Sequence, residues 1–188
     1  AYAPGRTLGG AFRRFLQRLL APFGLLCLDP LDPAIRELAA PLLARAARQA
    51  PRLIGKALER SRELEAAGYH AQVRVEAGRP LMFLLDQGRR LPLRNDASLQ
   101  GVSAAALSPG ALLRPVAQDY ILPTVASVMG PAEIAYMAQA GALYEALEQR
   151  PPVLAPRASF TLLDSEAAAL MDRFGLRLTD LFGPEDAL

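Results

Sequence analysis

Residues 124–147 read TVASVMGPAEIAYMAQAGALYEAL, and this stretch constrains the fold more than any other. The β-branched run TVASVM predicts a strand and Gly130-Pro131 a turn. Ala132–Leu147 predicts a helix whose apolar positions Ile134, Met137, Ala138, Gly141 and Ala142 follow the 3.6-residue period. A strand that passes through a tight turn into a helix is a βα unit. It commits the chain to α/β architecture with a mostly parallel sheet, and it sets the helix N-terminus at the carboxyl end of the strand, where open α/β sheets hold ligands.

The rest of the chain extends this alternation. Thr7–Ala21 carries Phe12, Phe15, Leu16, Leu19 and Leu20 on one helical face with Arg13, Arg14 and Arg18 opposite. GLLCLDP, residues 24–30, suits a short buried parallel strand. Asp32-Pro33 supplies an N-cap and a first-turn proline for helical sequence running to Gly68, with breaks expected at Pro41 and Pro51. From Tyr69 the period changes, and residues 69–93, punctuated by Gly78-Arg79-Pro80 and Gly88, predict two or three strands of a meander. Asn95–Gly110 reads as a loop of small residues closing on Ser108-Pro109 as N-cap and first helical residue. PVLAP and ASFTLLD predict two further strands flanking Arg157, and helices are expected at Ser165–Phe174 and Leu178–Phe182. One domain over residues 1–188 is the economical reading.

Composition removes several classes of function. With 52% hydrophobic and 21% charged residues the chain has the means to bury a core. Its longest apolar candidate, from Phe15, is interrupted by Arg18, Pro22 and Gly24, so no membrane span is expected. Without a secretory pattern at its start, the chain is expected in the cytoplasm. Cys27 and His70 are each the single residue of their type, which excludes an internal disulfide and a Cys/His zinc site; no metal is expected. Cys27 reads as a small hydrophobe and His70 as a structural residue. Lys56 is the one lysine, and no G-x-x-x-x-G-K-[ST] phosphate loop is present. Residues 1–94 hold 16 Arg or Lys against 8 acids and residues 95–188 hold 5 against 11, so the halves carry +8 and −6. The arginines are scattered along helical sequence without interleaved aromatic residues. The expectation is a solvated face or a docking surface for anionic ligands or another segment, with no nucleic-acid partner.

The polar candidates cluster in the second half. In LRPVAQDYILPT, residues 113–124, a helix with Pro115 in its first turn sets Arg114 and Gln118 on one face and turns Asp119 about 100° away from Gln118, leaving Val116, Ala117 and Tyr120 for the core. A guanidinium beside an amide can grip a carboxylate or phosphate; alternatively Arg114 and Asp119 cap or bridge neighbouring elements. Glu133 stands at the third helical position after Gly130, where a carboxylate satisfies backbone donors or, in a reactive site, takes a proton. Tyr136 lies one turn on and suits the core with its hydroxyl satisfied. Arg157 between two apolar strands requires either a carboxylate partner or an anionic ligand.

LSPGALLRPVAQDYILPTVASVMGPAEIAYMAQ, followed by PPVLAPRASFTLLD, resembles the core of the bacillithiol biosynthesis cysteine-adding enzyme family. GLLCLDPLDPAI and GYHAQVRV are similar to segments upstream of that core. The resemblance implies a Rossmann-like fold related to nucleotidyltransferases and class I synthetases. It also implies a ligase that joins cysteine to glucosaminyl malate through an amide, a carbon–nitrogen bond. On the matching positions, Ser108, Arg114, Gln118, Gly130, Tyr136, Arg157 and Ser159 are expected to bind substrate, and Glu133 or Asp119 to act as the catalytic base. Arg114 and Arg157 would hold the anionic malate or a phosphate, with Arg114 placed to stabilise negative charge in the transition state. A free carboxylate needs activation before it forms an amide, so ATP is the expected cosubstrate, and a homodimer is the expected assembly of the full-length protein. Family chains open with a glycine-rich Gln-Gln-Pro-Gly segment and close in a coiled coil. This chain shows neither, so it is expected to be a central fragment. The alternative is a non-catalytic α/β ligand-binding or assembly module left by truncation.

Overall fold

In a computed structural model the chain is described over residues 3–93 and 99–182. Helix α1, Leu8–Leu20, starts where the Thr7 hydroxyl accepts from the Gly10 N–H at 3.2 Å. Helix α2, Pro33–Arg48, opens on the Asp32 carboxylate, which accepts from Ala34 N–H at 2.9 Å. Pro41, marked in the sequence as a break, lies inside α2. The buried Leu42, Leu43 and Ala46 just beyond it hold the helix together at the loss of a single backbone donor. The chain does break at Gln49, and α3, Ala50–Ala66, carries Pro51 in its first turn. Helices α4, Leu113–Ile121, α5, Pro131–Ala146, and α6, Ser165–Phe174, follow. The short 178–182 helix is a single 3-10 segment, Leu178–Phe182.

The core lies where α3 packs on α5 and α2 on α4. Leu42, Leu53, Ala57, Leu113, Val116, Leu143 and Tyr144 are each at most 1% exposed there. Burial of α5 extends round most of its circumference, taking in Gln139, Ala140 and Tyr144 as well as Met137 and Ala142.

Five strands form two small sheets among the described residues. Strands β1, Met82–Asp86, β2, Arg89–Pro92, and β3, Leu107–Pro109, make an antiparallel sheet in the order β2-β1-β3. The β1–β2 hairpin turns on Gln87 at φ 47° and Gly88 at φ 75°, the two left-handed residues that a type I′ turn requires. Pleating sends Met82, Leu84, Leu91 and Leu107 to one face, where Met82 and Leu107 join the core. Phe83, Leu85, Arg90 and Ser108 share the other face. Strands β4, Ala126–Met129, and β5, Val153–Pro156, are parallel and are joined through α5. Met129 and Leu154 pack on the core, whereas Val128 and Val153 on the opposite face are exposed.

Several local expectations are corrected. Residues 24–30 form no ladder, because no strand among the described residues lies beside them; Leu26 is 87% exposed and Cys27 half-buried. The stretch 69–75 is not a strand either, since the backbone of Val73 pairs with a side chain, that of Gln139. ASFTLLD makes no strand pairing, and Phe160 and Leu162 project outward. Ser108-Pro109 does not cap a helix: Ser108 pairs with Phe83 in β3, and α4 starts only at Leu113. Between them Gly110 donates its N–H to Leu81 O at 2.8 Å, an approach so close that a Cβ would sit 2.5 Å from that oxygen. Tyr120 is exposed rather than core, as is the Phe12, Phe15 and Leu19 stripe of α1. The start of the expected Asn95–Gly110 loop, residues 95–98, lies outside the described residues.

Candidate functional site

Strand β4 ends at Met129, and Gly130 turns the chain into α5. The Gly130 N–H donates to Glu133 Oε2 at 2.8 Å. Glycine has no side chain to return the bond, so only this half of a capping box forms. Arg157 leaves β5 alongside, its N–H bonded to Met129 O at 2.8 Å, and its Nη1 lies 3.4 Å from the same Glu133 oxygen. A Cβ on residue 130 would come within 2.7 Å of Arg157 Nη2, so the absence of a side chain there makes room for the guanidinium. The cap and the carboxylate partner that the sequence left open are thus one contact. Both partners are more than half exposed, and such a pair contributes at most about 1 kcal/mol, so an incoming anion can compete for Arg157.

Arg114 and Gln118 project outward from α4, with Pro115 in its first turn as the spacing required. Tyr136, one helical turn beyond Glu133, donates its hydroxyl to Ala111 O just ahead of α4. Burial raises the Tyr136 pKa while the Arg114 charge pulls it down, which keeps the hydroxyl a proton donor and sets Arg114 in its neighbourhood. Arg114, Tyr136, Glu133, Gly130 and Arg157 therefore gather around the first two turns of α5. Ser108 stands on the outer face of β3, and Ser159 is exposed two residues beyond Arg157.

Asp119 points elsewhere. Its Oδ2 accepts from the hydroxyl of Tyr144, a residue wholly removed from solvent. Burial, then the bond to Asp119 and its charge, push the Tyr144 pKa far up. Asp119 Oδ1 is buried without a partner among the described residues. Tyr144 lies eleven residues along α5 from Glu133, about 16 Å of helix rise, so the two acidic candidates do not share one site. Arg90, Gln139 and Tyr144 were not singled out by sequence, because the position of each depends on a distant partner.

A cleft of about 480 Å³ between α3 and residues 70–75 is lined by Ser61, Arg62, Glu65, His70 and Arg74, apart from these candidates. No three His, Cys, Asp or Glu side chains among the described residues are grouped to hold a metal ion. None of the described helices is long and apolar enough to cross a membrane.

The family model of the N-terminal Rossmann-like domain of bacillithiol biosynthesis BshC matches residues 1–105 and 97–158. The chain belongs to the BshC family. A protein of Solibacter usitatus provisionally named cysteine ligase BshC is 49% identical over 199 residues, covering 100% of this chain and 38% of the relative. Counterparts of the same name in Koribacter versatilis and Salinibacter ruber are 37% and 32% identical, over 100% and 96% of the chain. The chain spans about 38% of the length of the first two of these relatives. The match gives the α/β Rossmann-like class outright, and the β4–α5–β5 unit is its parallel part. In that unit the BshC residues Gly130, Glu133 and Arg157 occupy the carboxyl ends of the strands, the usual ligand position in such folds.

Proposed function

We propose that this chain forms the substrate-holding Rossmann-like part of a ligase that joins cysteine to glucosaminyl malate through an amide bond, yielding bacillithiol. What supports the reading is that Arg157 reaches Glu133 in the first turn of α5 while the charge of Arg114 acts on Tyr136 one turn further along the same helix. The BshC relatives carry the ligase name over the whole length of this chain.

In this reading Arg114 and Arg157 hold the malate carboxylates or a phosphate, and Gly130 lets the ligand approach the backbone. Ser108, Gln118 and Ser159 supply hydrogen bonds from the flanks. ATP would be the cosubstrate that activates the cysteine carboxylate, so that its oxygen leaves bearing a phosphate group when the amide forms. The amine of glucosaminyl malate would then form the C–N bond as the C–O bond to the leaving oxygen breaks, and its proton would pass to Glu133, half exposed at the start of α5, rather than to the Tyr144-bound Asp119. Soluble small molecules are the partners; neither nucleic acid nor a membrane enters, no metal is required, and a homodimer is the proposed assembly.

The test is calorimetric titration of the purified protein with glucosaminyl malate, beside Arg114→Ala and Arg157→Ala. Binding that either substitution abolishes in a folded protein supports the ligase reading. Binding without amide formation when cysteine and ATP are added would favour a non-catalytic ligand-binding module.

A further inference from the structure

Arg90 is absent from the set of residues suggested by the family resemblance, yet the fold carries it to the same place. It stands on β2 opposite Leu85 of β1, on the sheet face that also bears Phe83 and Ser108. Its guanidinium reaches across β1, lies 4.3 Å above the centre of the Phe83 ring, and donates to Pro109 O at 2.8 Å. Pro109 is followed by Gly110, whose carbonyl accepts the backbone N–H of Arg114 at 2.9 Å. The Arg90 guanidinium is therefore anchored at the end of β3, within one turn of chain from Arg114. Burial over the ring, and then the nearby Arg114 charge, lower the Arg90 pKa, so the two cations act on one another. Neither makes an ion pair among the described residues.

Two like charges held together cost energy unless an anion sits between them. A structural role explains one bond of Arg90, that to Pro109 O, and leaves the rest of its five-donor fork without a partner among the described residues. The guanidinium is held over the Phe83 ring, which reduces the rotamer freedom an exposed arginine would otherwise lose on binding. Ser108, on the same face and next to Pro109, adds a hydroxyl to the same spot.

We infer that Arg90 and Arg114 form a two-guanidinium clamp, with Ser108 at its base, for a small dianion: a dicarboxylate or a phosphate. This rests on the reading that Arg114 faces an anionic substrate, and it assigns the doubly charged end of that substrate to the Arg90–Arg114 pair. Arg157 is left to a second anionic group or to Glu133.

The test is calorimetric titration of the purified protein with L-malate and, separately, with inorganic phosphate, using acetate as the monoanion control. Arg90→Gln and Arg114→Gln are each expected to weaken one dianion about tenfold or more, with little change for acetate. Arg90→Lys, which keeps the charge and the stacking stem but not the fork, is expected to recover only part of the loss. Thermal melts of every variant confirm that the fold is retained. Loss confined to malate identifies a dicarboxylate site, and loss confined to phosphate identifies a phosphate site; either supports the clamp. Dianion binding weakened by Arg114→Gln and untouched by both Arg90 variants overturns the clamp and leaves the substrate reading standing. Binding that ignores Arg114 as well, or failure of the folded protein to bind either dianion, overturns both.

Discussion

Gln139 offers the sharpest measurement of how α5 is held. Its side chain is 0% exposed, yet every donor is used: Nε2 donates to Val73 O at 2.7 Å and to Ser61 Oγ at 2.9 Å, while Oε1 accepts from Val73 N–H at 2.9 Å. The amide imitates a strand pairing with Val73 and ties residues 71–75 to α3 and α5. Gln139→Leu fills nearly the same volume and removes all three bonds. At about 1 kcal/mol net per bond, with Val73 half-buried and its groups only partly re-solvated, the loss comes to about 3 kcal/mol. For a chain of this size that lowers Tm by about 6–12 °C. Ser61 keeps its own bond to Ala57 O at 2.8 Å, so the damage stays with Val73. Gln139→Glu places an acceptor where two donors stood, which favours the protonated acid and raises its folded pKa above the unfolded value of about 4.3. Stability of that variant relative to Gln139→Leu is therefore highest below that value and falls as pH rises through the raised pKa. Urea unfolding midpoints across pH decide both points. A Gln139→Leu cost under about 1 kcal/mol, or a Gln139→Glu variant that gains on Gln139→Leu with rising pH, would refute the reasoning.

Three other outcomes follow from the same contacts. Tyr144→Phe leaves both Asp119 oxygens without a donor among the described residues and is expected to cost about 1–3 kcal/mol in urea unfolding. Because the folded pKa of Tyr144 lies above its ordinary value of 10.0, its stabilisation is complete below that pH and is lost as pH rises beyond it; the Phe variant should show a shallower alkaline fall, by up to about 1.4 kcal/mol per pH unit. Gly130→Ala meets an extended backbone at φ −73° and ψ 168°, so the stability cost in thermal melts should stay near or below about 1 kcal/mol, the N-cap preference for glycine over alanine, while titration shows a loss of glucosaminyl malate binding like that of Arg157→Ala, because the new Cβ displaces that guanidinium. Arg45 Nη2 donates to Leu147 O at 2.8 Å at the C-terminal end of α5; Arg45→Met keeps the stem, loses the cap and should cost about 1–2 kcal/mol by thermal unfolding.

The helices were legible wherever their signals are local. Thr7, Asp32-Pro33 and Gly130-Pro131 each act within four residues, and each starts a helix at or beside the expected place. Pro41 misled because its effect depends on what the helix buries: with Leu42 and Leu43 in the core, tertiary packing outweighs one missing donor. Strands were harder. An apolar run records that a segment is suited to burial and says nothing of which strand lies beside it. Residues 24–30 and 158–164 carry that record without a partner among the described residues, whereas β4 and β5 carry it with one. Even there, Val128 and Val153 remain bare on the face away from α5, although parallel sheets are generally covered on both sides.

The site divides along the same line. Glu133 could be placed from its spacing to Gly130 alone, because helix geometry fixes both residues. Arg157 could not be assigned a partner, since its meeting with Glu133 depends on the parallel register that sets Met129 against Pro156. Arg90 is the extreme case. Arg89 and Arg90 are adjacent, identical and equally exposed in sequence terms, and only the hairpin distinguishes them. The two-residue Gln87-Gly88 turn pairs Asp86 with Arg89 and Leu85 with Arg90, which sends Arg90 to the face of Phe83 and Ser108 and Arg89 to the other. A one-residue slip in that pairing would exchange them, and the guanidinium beside Arg114 would be lost without any change in composition or charge. A variant with one glycine inserted between Arg89 and Arg90 sets Arg90 opposite Leu84 and should therefore lose dianion affinity to the extent that Arg90→Gln does, and removing the insertion should return it. Retained affinity in the inserted variant would show that Arg90 does not owe its place to the hairpin register.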